Sequence, residues 1–141
     1  MPTLTPKLTL NSTDHVAGET LGLSVDDNLT IVAPTVGLSM VDAEVTGGSL
    51  TDIKPSGSAN QYVYIKHTGF QADGTTATTN QLAVFFTGTD TDGDTNTLES
   101  LRLAAGEFAF FPCMSNKIVK VKSSSTHVVK AEYAYFTEDN T

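Results

Sequence analysis

No stretch of helical length in this chain carries an apolar stripe at 3.6-residue spacing. The chain instead offers short runs rich in Val, Ile, Thr, Phe and Tyr, each closed by a cluster of Gly, Asp, Asn or Ser. That rhythm belongs to strands joined by tight turns, and it restricts the fold class to all-β. The expected architecture is an antiparallel β-sandwich or jelly-roll of about 8–10 short strands. The runs predict strands at Leu4–Leu10, Thr20–Val25, Leu29–Ala33, Gly37–Val45, Gln61–His67, Gln81–Thr87, Leu98–Leu103, Glu107–Phe111, Lys117–Lys122 and His127–Phe136. Turn chemistry supports the cuts: Asp26-Asp27-Asn28, Pro55-Ser56-Gly57-Ser58 and Gly106-Glu107 supply positive φ or side chains that mimic a backbone turn. Threonine makes up about one residue in six, and its branched Cβ suits a pleated surface.

The length of 141 residues fits one domain. Residues 15–141 read as a single β-sandwich domain. Residues 1–14 read either as an N-terminal arm, extended by Pro2 and Pro6, or as a core strand. Alternation assigns the faces. In Lys117–Lys122, Val119 and Val121 point one way and Lys120 and Lys122 the other. In Val129–Tyr135 the odd positions are apolar, with Lys130 and Glu132 between them. The run Gln61–Lys66 differs, because Val63 and Ile65 face the core while Tyr62 and Tyr64 stand on the opposite face. Phe85-Phe86 and Phe110-Phe111 likewise put an aromatic on each side. Aromatics on both faces require either a covering layer of the same chain or a partner surface.

Charge narrows the partners. The formal charge is −8 with a pI near 4.6, so a phosphate backbone or an anionic membrane is repelled, and no direct nucleic-acid or membrane binding is expected. One cysteine, Cys113, excludes an internal disulfide, and its place after Phe111-Pro112 reads as a buried structural thiol. The first residues lack a basic region with an apolar core, and no apolar run approaches the ~18 residues of a membrane span. The chain is therefore expected to be made in a cytoplasm and to stay soluble.

Chemistry-bearing motifs are sparse. The cluster Asp90, Asp92 and Asp94 sets oxygen ligands at alternate positions, as a calcium loop does, but its Gly falls between the second and third Asp and Glu99 arrives too early. A solvated hairpin tip is the competing reading. His15, His67 and His127 are far apart and none has a His or Cys at ligand spacing. No nucleophile elbow, phosphate loop or dinucleotide fingerprint occurs, so a non-enzymatic protein without a cofactor is expected.

Tyr62-Val63-Tyr64-Ile65-Lys66-His67-Thr68-Gly69 resembles a Y-x-Y-I-K-N-T-G strand of small virion structural proteins of tailed bacteriophages. Leu103–Pro112 is similar to their L-x-x-G-E-F-x-F-x-P strand pair, and Val128–Tyr133 to a closing V-V-x-x-E-Y strand. The likeness covers the chain from Gln61 onward, and His67 stands where the pattern has Asn. The resemblance implies a β-sandwich made in the host cytoplasm and displayed on the capsid surface, as a decoration or cement protein. Its partners would be the major capsid protein or other virion proteins and further copies of itself, a trimer among the options. Leu4, Leu8 and Leu10 of the arm, with Tyr62, Tyr64 and Phe70, are the candidate contact residues. A tail, neck or fibre adaptor and a carbohydrate-binding or carbohydrate-active domain are the alternatives, although the absence of Trp removes the usual sugar-stacking platform.

Overall fold

The computed structural model describes residues 1–16 and 18–139, leaving aside the side chains of 14–16, so His15 lies outside the described side chains. The described residues form eleven strands and no helix: β1 (Thr3–Leu4), β2 (Lys7–Val16), β3 (Glu19–Asp26), β4 (Leu29–Ala43), β5 (Thr51–Lys54), β6 (Gln61–Gln71), β7 (Leu82–Thr89), β8 (Thr95–Leu103), β9 (Phe108–Cys113), β10 (Ile118–Ser123) and β11 (Val129–Glu138). A five-stranded sheet has the order β1-β4-β11-β6-β9, and a four-stranded sheet the order β5-β10-β7-β8. All pairs are antiparallel. The chain is thus an all-β sandwich, as its alternation requires.

The remaining two strands, β2 and β3, pair only with each other. They form a separate two-stranded ribbon.

Three strand boundaries differ from expectation, each for a physical reason. Leu4–Leu10 breaks at Pro6, which has no N–H to give a ladder and whose carbonyl instead accepts the Asp27 N–H at 3.2 Å. Leu29–Ala33 and Gly37–Val45 are one strand, because β11 pairs with both halves and absorbs Ala33-Pro34 and the Gly37-Leu38 region in register shifts. The edge strand β5 falls outside the expected runs and is held by pairing with β10.

The core lies between the sheets. Val63, Ile65, Val129 and Ala131 from one face Leu82, Val84, Val119 and Val121 from the other, all sealed from water. Phe86 and Phe111 meet across the gap with ring centroids 5.5 Å apart. Each adjacent Phe pair therefore splits as alternation demands, one ring inward and one outward.

Two buried polar side chains lock the loops. The Lys54 ammonium donates to the carbonyls of Met114 (2.9 Å) and Lys117, closing the β9–β10 connection. Burial lowers its pKa, and burial raises that of the neighbouring Cys113 thiol. The His67 ring accepts the Gly69 N–H at Nδ1 (2.9 Å), so its Nε2 carries the proton donated to the Asn80 carbonyl at 2.7 Å. Gly69 itself has φ +89°, a left-handed conformation that lets β6 shift register against β11 between His67 and Gln71.

Candidate docking surface

The outer face of the five-stranded sheet is built by the residues that the core leaves over. Register places Tyr64 opposite Phe110, Lys66 opposite Phe108 and Tyr62 opposite Pro112. Ala134 and Phe136 of β11 continue the two tyrosine rungs. Tyr62 stacks on Phe110 at 5.7 Å between centroids with planes 18° apart. The Tyr64 hydroxyl donates to Glu132 Oε1 at 2.9 Å. Burial first, and then this bond, push the Tyr64 pKa up to about 12. Burial also raises that of Tyr62, with help from the carboxylates of Glu138 and Asp27. The two tyrosines are half-buried, whereas Phe108 keeps 62% of its surface in water.

The ribbon supplies the second wall. Its register pairs Leu8 with Val25, Leu10 with Leu23 and Ser12 with Leu21, so these six side chains share one face. Lys7, Thr9 and Asn11, opposite Asp26, Ser24 and Gly22, form the other face. The ribbon is therefore amphipathic, and the described residues cover its apolar side only in part. Leu8 and Leu10 are each 44% exposed, Val25 51%, and all eight residues of β3 are exposed. At its root the ribbon is tied by the Asp27–Pro6 backbone bond and by the Thr5 hydroxyl donating to Asn28 Oδ1 at 3.0 Å.

Where the walls meet, they enclose a cleft of about 620 Å³. Leu4, Pro6, Leu8 and Val25 line one side and Tyr64, Phe108 and Phe110 the other. Lys7, Asp26 and Asp27 stand at its polar margin. The stripe thus runs without a break from the aromatic sheet face, through the cleft, and out along the ribbon. Its chemistry is mainly that of apolar contact, with Lys7, Asp26 and Asp27 at one margin of the cleft and Lys66 and Glu132 beside the aromatics on the sheet face.

Of the six residues expected at an interface, Leu4, Leu8 and Tyr64 converge on this cleft, Leu10 continues it along the ribbon, and Tyr62 extends its aromatic wall. Phe70 is exposed but sits six residues beyond Tyr64 on β6, roughly 20 Å away along a strand. The expected arm through Asp14 supplies only half of the projecting element, because β3 completes it to Asp26. Phe108, Leu21 and Leu23 also belong to the surface. The signal for Leu21 and Leu23 lies in the matched alternation Leu8-x-Leu10 and Leu21-x-Leu23-x-Val25 on either side of Gly18, and that for Phe108 in the alternation Phe108-x-Phe110.

The acidic loop between β7 and β8 is a tight hairpin tip, with Gly93 N–H bonded to the Asp90 carbonyl at 3.0 Å. The Lys117 ammonium pairs with the Asp90 carboxylate, and Asn96 donates to its other oxygen at 3.2 Å. These contacts, Lys117 foremost, hold the Asp90 pKa below the usual carboxylate range. Asp92 and Asp94 are exposed. Among the described residues no three His, Cys, Asp or Glu side chains are grouped so as to hold a metal ion. No protein-family model matches the chain, and no curated protein matches it.

Proposed function

We propose that this chain is a non-enzymatic structural protein of a tailed-bacteriophage particle, a decoration or cement protein that stabilises the capsid by protein–protein contact. One observation carries the reading. The segments that resemble phage virion proteins fall on β6, the end of β8 with β9, and β11, and β11, β6 and β9 are neighbours in one sheet. Together they present one outer face, which is aromatic and opens onto the apolar cleft. A surface of this kind binds by removing apolar area from water, which contributes about 25 cal/mol per Å² before association costs are subtracted. The acidity of the chain, −8 overall, keeps it off the packaged genome and soluble before it docks.

Copy number in purified particles tests the proposal. Quantitative mass spectrometry should find the chain in hundreds of copies, and cryo-EM should show it seated on the capsid shell. A handful of copies would instead favour the tail, neck or fibre. Absence from particles, together with glycan binding or hydrolysis by the purified domain, would overturn the structural reading in favour of a carbohydrate-directed one.

A further inference from the structure

We infer that the occupant of the cleft is the apolar face of the ribbon from a second copy of this chain. This deepens the reading of the surface as a docking face and names its first partner.

Three observations point to a second copy. The first is area. The five ribbon aliphatics are 39–51% exposed, Phe110 39% and Phe108 62%. Together they leave an apolar patch on the order of 600 Å², at the top of what a monomer ordinarily exposes and close to the ~800 Å² that one partner contributes to a standard interface. The second is charge. In a chain of −8, no ionisable side chain occurs from Leu8 to Thr13 or from Thr20 to Val25. Two acidic copies can therefore meet along the ribbon without bringing like charges together. Along those two segments a basic partner would find no carboxylate; the nearest, Asp26 and Asp27, stand at the cleft margin. The third is shape. Leu8 and Val25 form the cleft wall, so a copy's own ribbon cannot also fill the cleft. Its Leu10–Leu23 rung lies outside the cleft lining and keeps 39–44% of its surface exposed. Exchange between copies covers both at once, and where two copies exchange ribbons reciprocally about a two-fold axis the assembly closes on itself.

Light scattering on the full chain reads the mass directly. The expected result is a multiple of the 14.9 kDa chain mass at high micromolar concentration. The double variant Leu10→Lys, Leu23→Lys, and separately Phe108→Lys, should shift the mass to that of one chain while far-UV circular dichroism and the cooperative melt of the sandwich persist. Crosslinking sets the geometry. Mixing a Leu10→Cys chain with a Phe108→Cys chain under mild oxidation should join the two different chains, while Leu10→Cys alone should crosslink poorly. A wild-type chain that stays single at every concentration overturns the inference. So does efficient Leu10→Cys self-crosslinking without the mixed product, which would mean ribbon against ribbon. Particle occupancy separates this from the proposed function: a single-chain protein that still decorates particles defeats only the self-association.

Discussion

Ile65 and Leu10 are both aliphatic residues on antiparallel strands, each with polar neighbours along the chain. Ile65 is completely sealed, whereas Leu10 is 44% exposed. The difference lies in the second layer. Around Ile65 the four-stranded sheet closes the apolar face, with Val84, Val119 and Val121 in the same core. Around Leu10 the ribbon is two strands wide, pairs with no further strand among the described residues, and leaves its apolar face partly exposed. A two-stranded hairpin of this kind is marginal by itself in water. Alternation is thus enough to make a strand amphipathic, but only an opposing surface makes it stable. The sandwich carries its opposing surface within the chain, and in the self-association inferred above the ribbon would take its own from a second copy.

Amide hydrogen exchange gives the largest expected contrast. In the monomeric Leu10→Lys, Leu23→Lys variant, ribbon amides such as those of Leu8 and Val25 should exchange about 10³-fold or more faster than those of Val63 and Ile65 in β6, because local opening costs far less than global unfolding. In the assembled wild-type protein the gap should narrow. Equal protection of the two regions in the monomeric variant would break the comparison, since it would make the ribbon part of the sandwich's cooperative unit.

Truncation sharpens the same contrast. Ile65→Ala should cost about 2–5 kcal/mol in urea unfolding, from lost burial plus the cavity left between rigid sheets. Leu10→Ala, measured in a background where copies do not associate, should cost less than about 0.5 kcal/mol. Comparable losses would mean that the ribbon is held by contacts within its own chain.

These two regions also differ in how far they could be read from sequence. The sandwich was legible because its strands are half-buried: Val119 and Val121 against Lys120 and Lys122 in β10 fix both the period and the inward face. The split of Phe110 and Phe111 between faces followed from the same period. The ribbon's pattern was equally clear, but a period of two says which side chains share a face and nothing about what lies over it. From sequence alone Thr20–Val25 therefore reads as one more sandwich strand. Its pairing with β2 depends on the phase match across Gly18. The buried Lys54 had no local signal at all, because its partners are carbonyls 60 and 63 residues away, brought to it by the β9–β10 connection. Contacts of that sequence separation come from the fold, and no window of neighbouring residues contains them.

Tyr64 stands where the sandwich meets the ribbon, and its titration gives the smallest and most local test. Its folded pKa of about 12 lies above the ~10 of an unfolded tyrosine. Between those values the unfolded chain has released the proton and the folded chain has kept it. Tyr64 therefore contributes stability that is complete below about pH 10 and is lost as pH rises through about 12. Tyr64→Phe removes the bond to Glu132, so below pH 10 the variant should be less stable by about 1 kcal/mol. That deficit should shrink as pH rises above about 10 and reach zero, then reverse, before pH 12, because a shift of this size outweighs about 1 kcal/mol, read by denaturant unfolding of the two proteins side by side. A deficit that does not change with pH would mean that the Tyr64 phenol is not held by Glu132. Because burial is the first cause of the raised pKa, the phenol also reports on the cleft. If another copy's Leu10 and Leu23 cover the cleft, removing them in the double lysine variant should lower the Tyr64 ionisation midpoint seen by phenolate absorbance, with Tyr64→Phe subtracting the other tyrosines. An unchanged midpoint would place the second copy somewhere other than over Tyr64.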